Sequence, residues 1–291
     1  MRPRKTRSFR FPPCEKNLVA HRALRTLAAM KLDPADIAYF KRGDRENPAF
    51  WWRLGGKPAF AGAHVLDVGC GLGALCADMA AGGAARVVGL DTETKLIEFA
   101  RQYTAETFPQ FKGVLEFYDQ DLGKFDGGKF DVIVSKDSFE HIMDLAGMLG
   151  EMSVRLKPGG KIYAGFGPLY NSPFGHHGRV ATFLPWRKFP WAHLWEPEEK
   201  IVARLNRLRA RGENIFTYSD APITSIRDLG LSMYSLADYR RFIADSGLKT
   251  VRFGVNRSTS PLSKILSVFR HVPCLEEYCT HNIYCILEKP V

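Results

Sequence analysis

The sequence predicts an α/β fold: a doubly wound, mostly parallel sheet of seven strands, with an N-terminal helical extension and an inserted cap. Three observations lead there. From residue 63 to 166, short apolar runs alternate with amphipathic helical patterns. The strand-like runs are nearly continuous in Val, Ile, Leu and Phe, as strands covered on both faces must be. The first of them enters a glycine-rich turn that opens a helix. Right-handed crossovers then bring the strand ends to one edge, where a ligand would sit.

Residues 1–60 form the expected extension or lid. Arg2, Arg4, Lys5, Arg7 and Arg10 make a basic tail, and Asn17 to Met30 places Leu18, Val19, Leu24, Leu27 and Ala28 at helical spacing. An aromatic stretch with Tyr39, Phe40, Phe50, Trp51 and Trp52 breaks at Gly55-Gly56 and Pro58. Trp51, Trp52 and Arg53 either close over a ligand or pack.

The core domain spans 61–167 and 235–291. Its strands are expected at His64 to Val68, Arg86 to Leu90, Val114 to Tyr118, Phe130 to Val134 and Lys161 to Phe166, with helices at Ala74 to Ala81, Lys95 to Thr107 and Leu145 to Leu156. A capping box at Ser235 to Asp238 opens a helix to Asp245, and strands follow at Lys249 to Gly254 and Asn282 to Glu288. An insertion, 256–281, carries an amphipathic piece at Leu262 to Phe269.

Residues 168–234 are rich in aromatics and prolines and read as an inserted substrate cap. A helix opens after Pro197 with two glutamates in its first turn, which suits the helix dipole. Ile201, Val202, Leu205 and Leu208 form its apolar face, with Arg204, Arg207 and Arg211 opposite.

Apolar residues at 45% and charged residues at 25% describe an ordinary compact globular chain. A formal charge of +10 raises the question of a polyanionic partner. The clustered basic residues lie in the tail and at Arg204, Arg207, Arg209 and Arg211, so they read as a solvated tail and helix face rather than a nucleic-acid interface. No run approaches the roughly 18 apolar residues of a membrane span, and no signal core follows the tail, so a cytoplasmic location is expected. Six cysteines without a C-x-x-C pair are expected to be reduced thiols.

The most informative segment is Val65-Leu66-Asp67-Val68-Gly69-Cys70-Gly71-Leu72-Gly73. Glycines let a ligand approach the backbone and allow positive φ. Gly69, Gly71 and Ala74 also satisfy a dinucleotide fingerprint, with Asp91 near the ribose spacing. Three features favour another nucleotide ligand. Asp67 puts a carboxylate where pyrophosphate would be repelled and a methionine ammonium welcomed, Gly73 extends the loop, and Asp121 ends the next strand unit where it could accept from an adenine amino group.

Together these stretches resemble a class I S-adenosylmethionine-dependent methyltransferase of the group that methylates small molecules. The matching pieces are Val65 to Gly73, Val87 to Asp91, Gln120-Asp121-Leu122, Phe130 to Ser135 and Leu156 to Gly160, in the family's order. The resemblance implies a Rossmann-like methyltransferase fold with S-adenosylmethionine as cofactor. It places Gly69, Gly71 and Gly73 against the cofactor, Asp67 near its amino-acid end, Asp91 on the ribose hydroxyls, and Asp121 and Leu122 around the adenine, with Cys70, Thr92 and Lys136 as further expected cofactor contacts. The long cap and the 256–281 insertion depart from the family, so the acceptor does not carry over.

Methyl transfer from a sulfonium needs alignment, desolvation and, for a hydroxyl acceptor, a base. His141, His176 and His177 are the candidate catalytic bases. Asp137, Tyr170 and Trp186 are the candidate substrate contacts. His176 and His177 with a carboxylate such as Asp137 could bind a divalent metal, but adjacent histidines rarely converge on one ion, so no metal is expected. The absence of an Asn/Asp-Pro-Pro-aromatic motif at Lys136-Asp137 argues against methylation of a base amino group. The leading expectation is O-methylation of a metabolite, sugar or secondary-metabolite intermediate. Nitrogen and carbon acceptors, an RNA substrate, nicotinamide-dependent oxidoreduction and cofactor binding without catalysis are the alternatives.

Overall fold

The computed structural model describes residues 32–180, 189–217, 219–257 and 261–291. The basic tail, the helix expected from Asn17 to Met30 and Trp186 lie outside them. Seven strands form one sheet: β1 (His64–Val68), β2 (Arg86–Asp91), β3 (Leu115–Asp119), β4 (Phe130–Lys136), β5 (Leu156–Phe166), β6 (Lys249–Val255) and β7 (Ile283–Glu288). Their order is β3-β2-β1-β4-β5-β7-β6. The first five are parallel, while β7 runs antiparallel to both β5 and β6. The expected sheet is present, and the chain reverses its winding between β1 and β4, which is where such sheets bind ligands.

Among the described residues, two helices precede the sheet: α1 (Pro34–Lys41) and α2 (Gly43–Leu54). Asp33 caps the first by accepting from the Ala35 amide at 2.8 Å, and Gly55, with φ of 104°, ends the second. Phe50, Trp51 and Leu54 are buried with Phe60, Val65 and Tyr284 in the core on one face of the sheet. Each such burial contributes about 1.5–3 kcal/mol. Trp51 also donates from Nε1 to Asp78 Oδ2 at 2.8 Å, so it packs, while Trp52 is exposed. This anchoring holds α1 and α2 beside the strand ends.

α3 (Ala74–Ala81) and α4 (Thr94–Thr107) cover that same face. On the other, α5 (Leu145–Arg155) and α7 (Leu236–Asp245) pack Leu149, Met152, Tyr239 and Ile243 against Ile133, Ile162 and Cys285. The capping box of α7 forms as its sequence dictates, with the Asp238 amide donating to Ser235 Oγ at 3.0 Å and the Ser235 amide to Asp238 Oδ2 at 3.1 Å. α8 (Pro261–Phe269) and the short α9 (Glu276–Cys279) occupy the insertion before β7.

Between β5 and α7, the helix α6 (Glu198–Ala210) buries Ile201 and Leu205 against Val180, Ile226 and Leu229. Its arginines do more than face solvent. Arg204 pairs with Glu196 at 2.5 Å, and Arg209 donates to the carbonyls of Ala221 at 2.6 Å and Ser219 at 2.8 Å. They tie the segment's loops to its helix, which corrects the expectation of a purely solvated face. β5 starts at Leu156 rather than Lys161, because the Lys157-Pro158-Gly159-Gly160 stretch is absorbed as an irregularity of register against β4. No described helix is long and apolar enough to cross a membrane.

Candidate active site

A cavity of about 1210 Å³ opens at the carboxyl ends of β1, β2 and β4. The loop after β1 forms its floor. Gly71, at φ of 53°, has no atom within 4 Å of the place a Cβ would take, so a ligand can lie against its backbone. Gly73, at φ of 84°, faces away from the cavity, and its Cβ would stand 2.8 Å from the Phe117 ring. The loop is held by Asp91, which accepts from the Gly71 amide at 2.9 Å and the Glu93 amide at 3.0 Å.

Asp67 is 1% exposed. Its Oδ2 accepts from the Cys76 thiol at 3.3 Å, and Oδ1 has no protein donor. Burial pushes its pKa up to about 7. A buried carboxylate oxygen facing a cavity without a donor is costly, and a cationic ligand group would relieve it. Gly69, Cys70, Thr92, Asp121, Leu122, Lys136 and Asp137 line the same cavity. Asp121 accepts from the Gly123 amide at 2.7 Å, and Lys136 pairs with Glu46 of α2 at 3.5 Å. Asp137 sits at φ of 54°, a conformation that costs a non-glycine residue about 1–2 kcal/mol.

The histidines separate. The ring centroids of His141 and His177 are 4.8 Å apart at the cavity wall. His141 Nδ1 donates to the Gly230 carbonyl at 2.6 Å, and His177 Nε2 to the Pro168 carbonyl at 2.8 Å. Burial lowers the pKa of both, that of His177 to about 3. His176 instead turns away from the cavity: it is 3% exposed, accepts from the Gly178 amide at 2.9 Å, and its ring lies 5.1 Å from His193. Tyr170 is likewise outside the cavity wall, packed 5.0 Å from His193. Neither is brought to the strand ends.

Three neighbours were not singled out by the sequence for this wall: Glu140, Glu46 and Arg179. Glu140 is 4% exposed, takes the Gly167 amide on Oε1 at 3.0 Å, and leaves Oε2 without a donor. Burial raises its pKa to about 8. Arg179 stacks on Phe216 at 4.1 Å and donates to the Leu229 carbonyl at 2.9 Å. Only Glu140 carried a local signal, its place beside His141.

His193 provides a test of the packing behind this wall. Its Nε2 donates to the Tyr170 carbonyl at 2.6 Å, its Nδ1 is buried without a partner, and burial lowers its pKa to about 4. A depressed folded pKa stabilises the fold above the unfolded value of about 6.5, and that contribution is lost as pH falls through the folded pKa. Between those limits this side chain is expected to cost about 1.4 kcal/mol per pH unit on acidification. Urea denaturation from pH 7 to 4.5 should lose stability less steeply in His193→Gln than in the parent, the two slopes differing by about 1.4 kcal/mol per pH unit.

Residues 59–166 match the family model described as Methyltransferase domain. A ubiquinone biosynthesis O-methyltransferase of Chelativorans sp. (strain BNC1) is 34% identical over 138 residues, 46% of this chain and 51% of that protein. The chain thus spans about half the length of that curated relative. Among solved structures, an S-adenosylmethionine-dependent methyltransferase from Mesorhizobium loti superposes with a TM-score of 0.51 at 18% identity, over 84% of this chain and 99% of that one. The phosphoethanolamine N-methyltransferase 2 of Haemonchus contortus gives 0.52 at 15% identity, over 85% and 53%. These structural likenesses are of fold. Residues 59–166 thus match a methyltransferase domain by sequence, and the fold is that of these solved methyltransferases.

Proposed function

We propose that the cavity binds S-adenosylmethionine and directs its methyl group to a hydroxyl oxygen of a small-molecule acceptor. The observation that carries this reading is the pairing of Asp67, whose buried Oδ1 lacks a donor, with the open face of Gly71 and with Asp91 in one continuous cleft. Asp67 would take the ammonium group, the Gly69–Gly71 backbone would lie along the cofactor, and Asp91 would accept from ribose hydroxyls. Asp121 and Leu122 would border the adenine. When bound, the sulfonium supplies an activated methyl group, so the protein's part is alignment, desolvation and removal of a proton.

His141 is the proposed base. Its Nδ1–H is fixed by the Gly230 carbonyl, which leaves the Nε2 lone pair free to accept a hydroxyl proton. His177, held by Pro168 and less basic, orients that ring edge-on. Oxygen as the acceptor atom is supported by the relative named as an O-methyltransferase. Among the described residues, nine acidic side chains line the cavity against the basic Lys136 and Arg179, which favours a small acceptor over a polyanion such as RNA.

The test is to incubate the enzyme with S-adenosylmethionine and a panel of hydroxylated acceptors, following S-adenosylhomocysteine and methylated product. Product with a new methyl ether is expected. Asp91→Ala should raise the KM for the cofactor about 10–100-fold, the worth of a charge-assisted hydrogen bond pair. Transfer to amines alone would overturn the oxygen assignment, and no transfer to any acceptor would overturn the enzymatic reading.

A further inference from the structure

We infer that Glu140, His141 and His177 form a binding site for one first-row divalent transition cation on the wall of this cavity. One donor atom from each lies within 4.8 Å of the others. They arrive from separate places: Glu140 and His141 from the 3-10 turn after β4, His177 from the loop after β5. Each side chain is steered through its other donor atom by a backbone partner. The Gly230 carbonyl holds His141 Nδ1, the Pro168 carbonyl holds His177 Nε2, and the Gly167 amide holds Glu140 Oε1. Metal-ligating histidines are oriented in this way, and the arrangement leaves His141 Nε2 and His177 Nδ1 as lone pairs.

The independent observation is Glu140 Oε2, a carboxylate oxygen in a side chain 4% exposed, with no hydrogen-bond donor. A cation supplies what that atom lacks. Bonds of about 2.0–2.2 Å bring ligand atoms to roughly 3–3.6 Å of one another, so the three side chains must close by about 1 Å. Two imidazoles and one carboxylate suit zinc, cobalt or iron better than magnesium or calcium, which take oxygen ligands. Arg179 opposes the ion, its Nη1 standing 3.5 Å from His141 Nδ1. Glu140 itself and Asp137, which faces the same cavity, offset that charge.

The expectation of no metal rested on the adjacent pair His176 and His177, and those two do part. The pair that meets is His141 and His177. Three protein ligands leave coordination positions open to an acceptor oxygen. With an ion bound, the imidazole lone pairs are occupied, and the ion rather than a free histidine would polarise that oxygen. This consequence rests on the proposed methyl transfer, whereas the binding of the ion does not.

The test uses the full chain stripped with a chelator and titrated with Co2+ by visible absorption and with Zn2+ by calorimetry. One ion per chain is expected, with d–d bands of nitrogen and oxygen ligation. Glu140→Gln and His177→Ala should each weaken binding at least about tenfold, while the exposed His271→Ala should not. Thermal unfolding and S-adenosylhomocysteine binding of the variants show that they are folded. Absence of stoichiometric binding, or binding unchanged in both ligand variants, overturns the site and leaves the methyl-transfer reading standing. Normal ion binding without methyl transfer to any acceptor would sink that reading and keep the site.

Discussion

Gly71→Ala is expected to lose most of its affinity for S-adenosylmethionine while remaining folded, and Gly73→Val is expected to be damaged in folding itself. The two glycines are two residues apart and both at positive φ, at 53° and 84°. Their surroundings differ. A Cβ on Gly71 enters open cavity, so the folded state bears only the backbone strain of about 1–2 kcal/mol. The new methyl group occupies the space proposed for the cofactor. A Cβ on Gly73 meets the Phe117 ring at 2.8 Å and Ala100 Cβ at 3.2 Å, which adds overpacking of about 1–3 kcal/mol to that strain. Thermal unfolding read beside calorimetry separates the cases. Equal destabilisation of both variants would show that the loop is a packing feature and not a ligand cradle.

The second large effect concerns the histidines. His141→Ala is expected to lower kcat by about 10²–10⁴, the range for a general base, with the KM for S-adenosylmethionine little changed. His177→Ala should fall in the same direction. His176→Ala should leave kcat near the parent value, because its ring packs against His193 and away from the cavity. Steady-state kinetics of the three variants checks this ordering. Full activity in both His141→Ala and His177→Ala would remove the base from the account.

The fold was legible because its signals are local. Continuous apolar strands, the glycine turn and the Ser235–Asp238 capping box each declare themselves within a few residues, and the observed elements fall within a residue or two of most expected ones. β5 is the exception: Pro158-Gly159-Gly160 carries breaker chemistry, yet pairing with β4 and with Lys289 near the chain's end holds it in the strand. Tertiary context overrode composition there.

The site divides in the same way. Asp67, Gly69, Gly71 and Asp91 could be placed at the strand ends because each lies at or just past the end of its strand, and the structure sets them around one cavity, whereas Gly73 turns to Phe117. The histidine arrangement could not be read. Adjacency in sequence paired His176 with His177, whereas the chain after the cis Gly167-Pro168 bond sends His177 to His141 and His176 to His193. Glu46 and Arg179 reach the cavity only through the docking of α2 and of the segment after β5, contacts with no local signature. Tyr170 looked available because it is aromatic in a loop, and it is spent on packing.

The central claim is the cofactor, and calorimetry of ligand-free protein with S-adenosylmethionine, S-adenosylhomocysteine and NADH tests it most directly. Binding of both sulfur ligands at about micromolar Kd, weakened by Asp91→Ala and with no heat from NADH, is the predicted result. Binding of NADH with neither sulfur ligand bound would contradict it, and would assign the glycine loop and Asp91 to a dinucleotide.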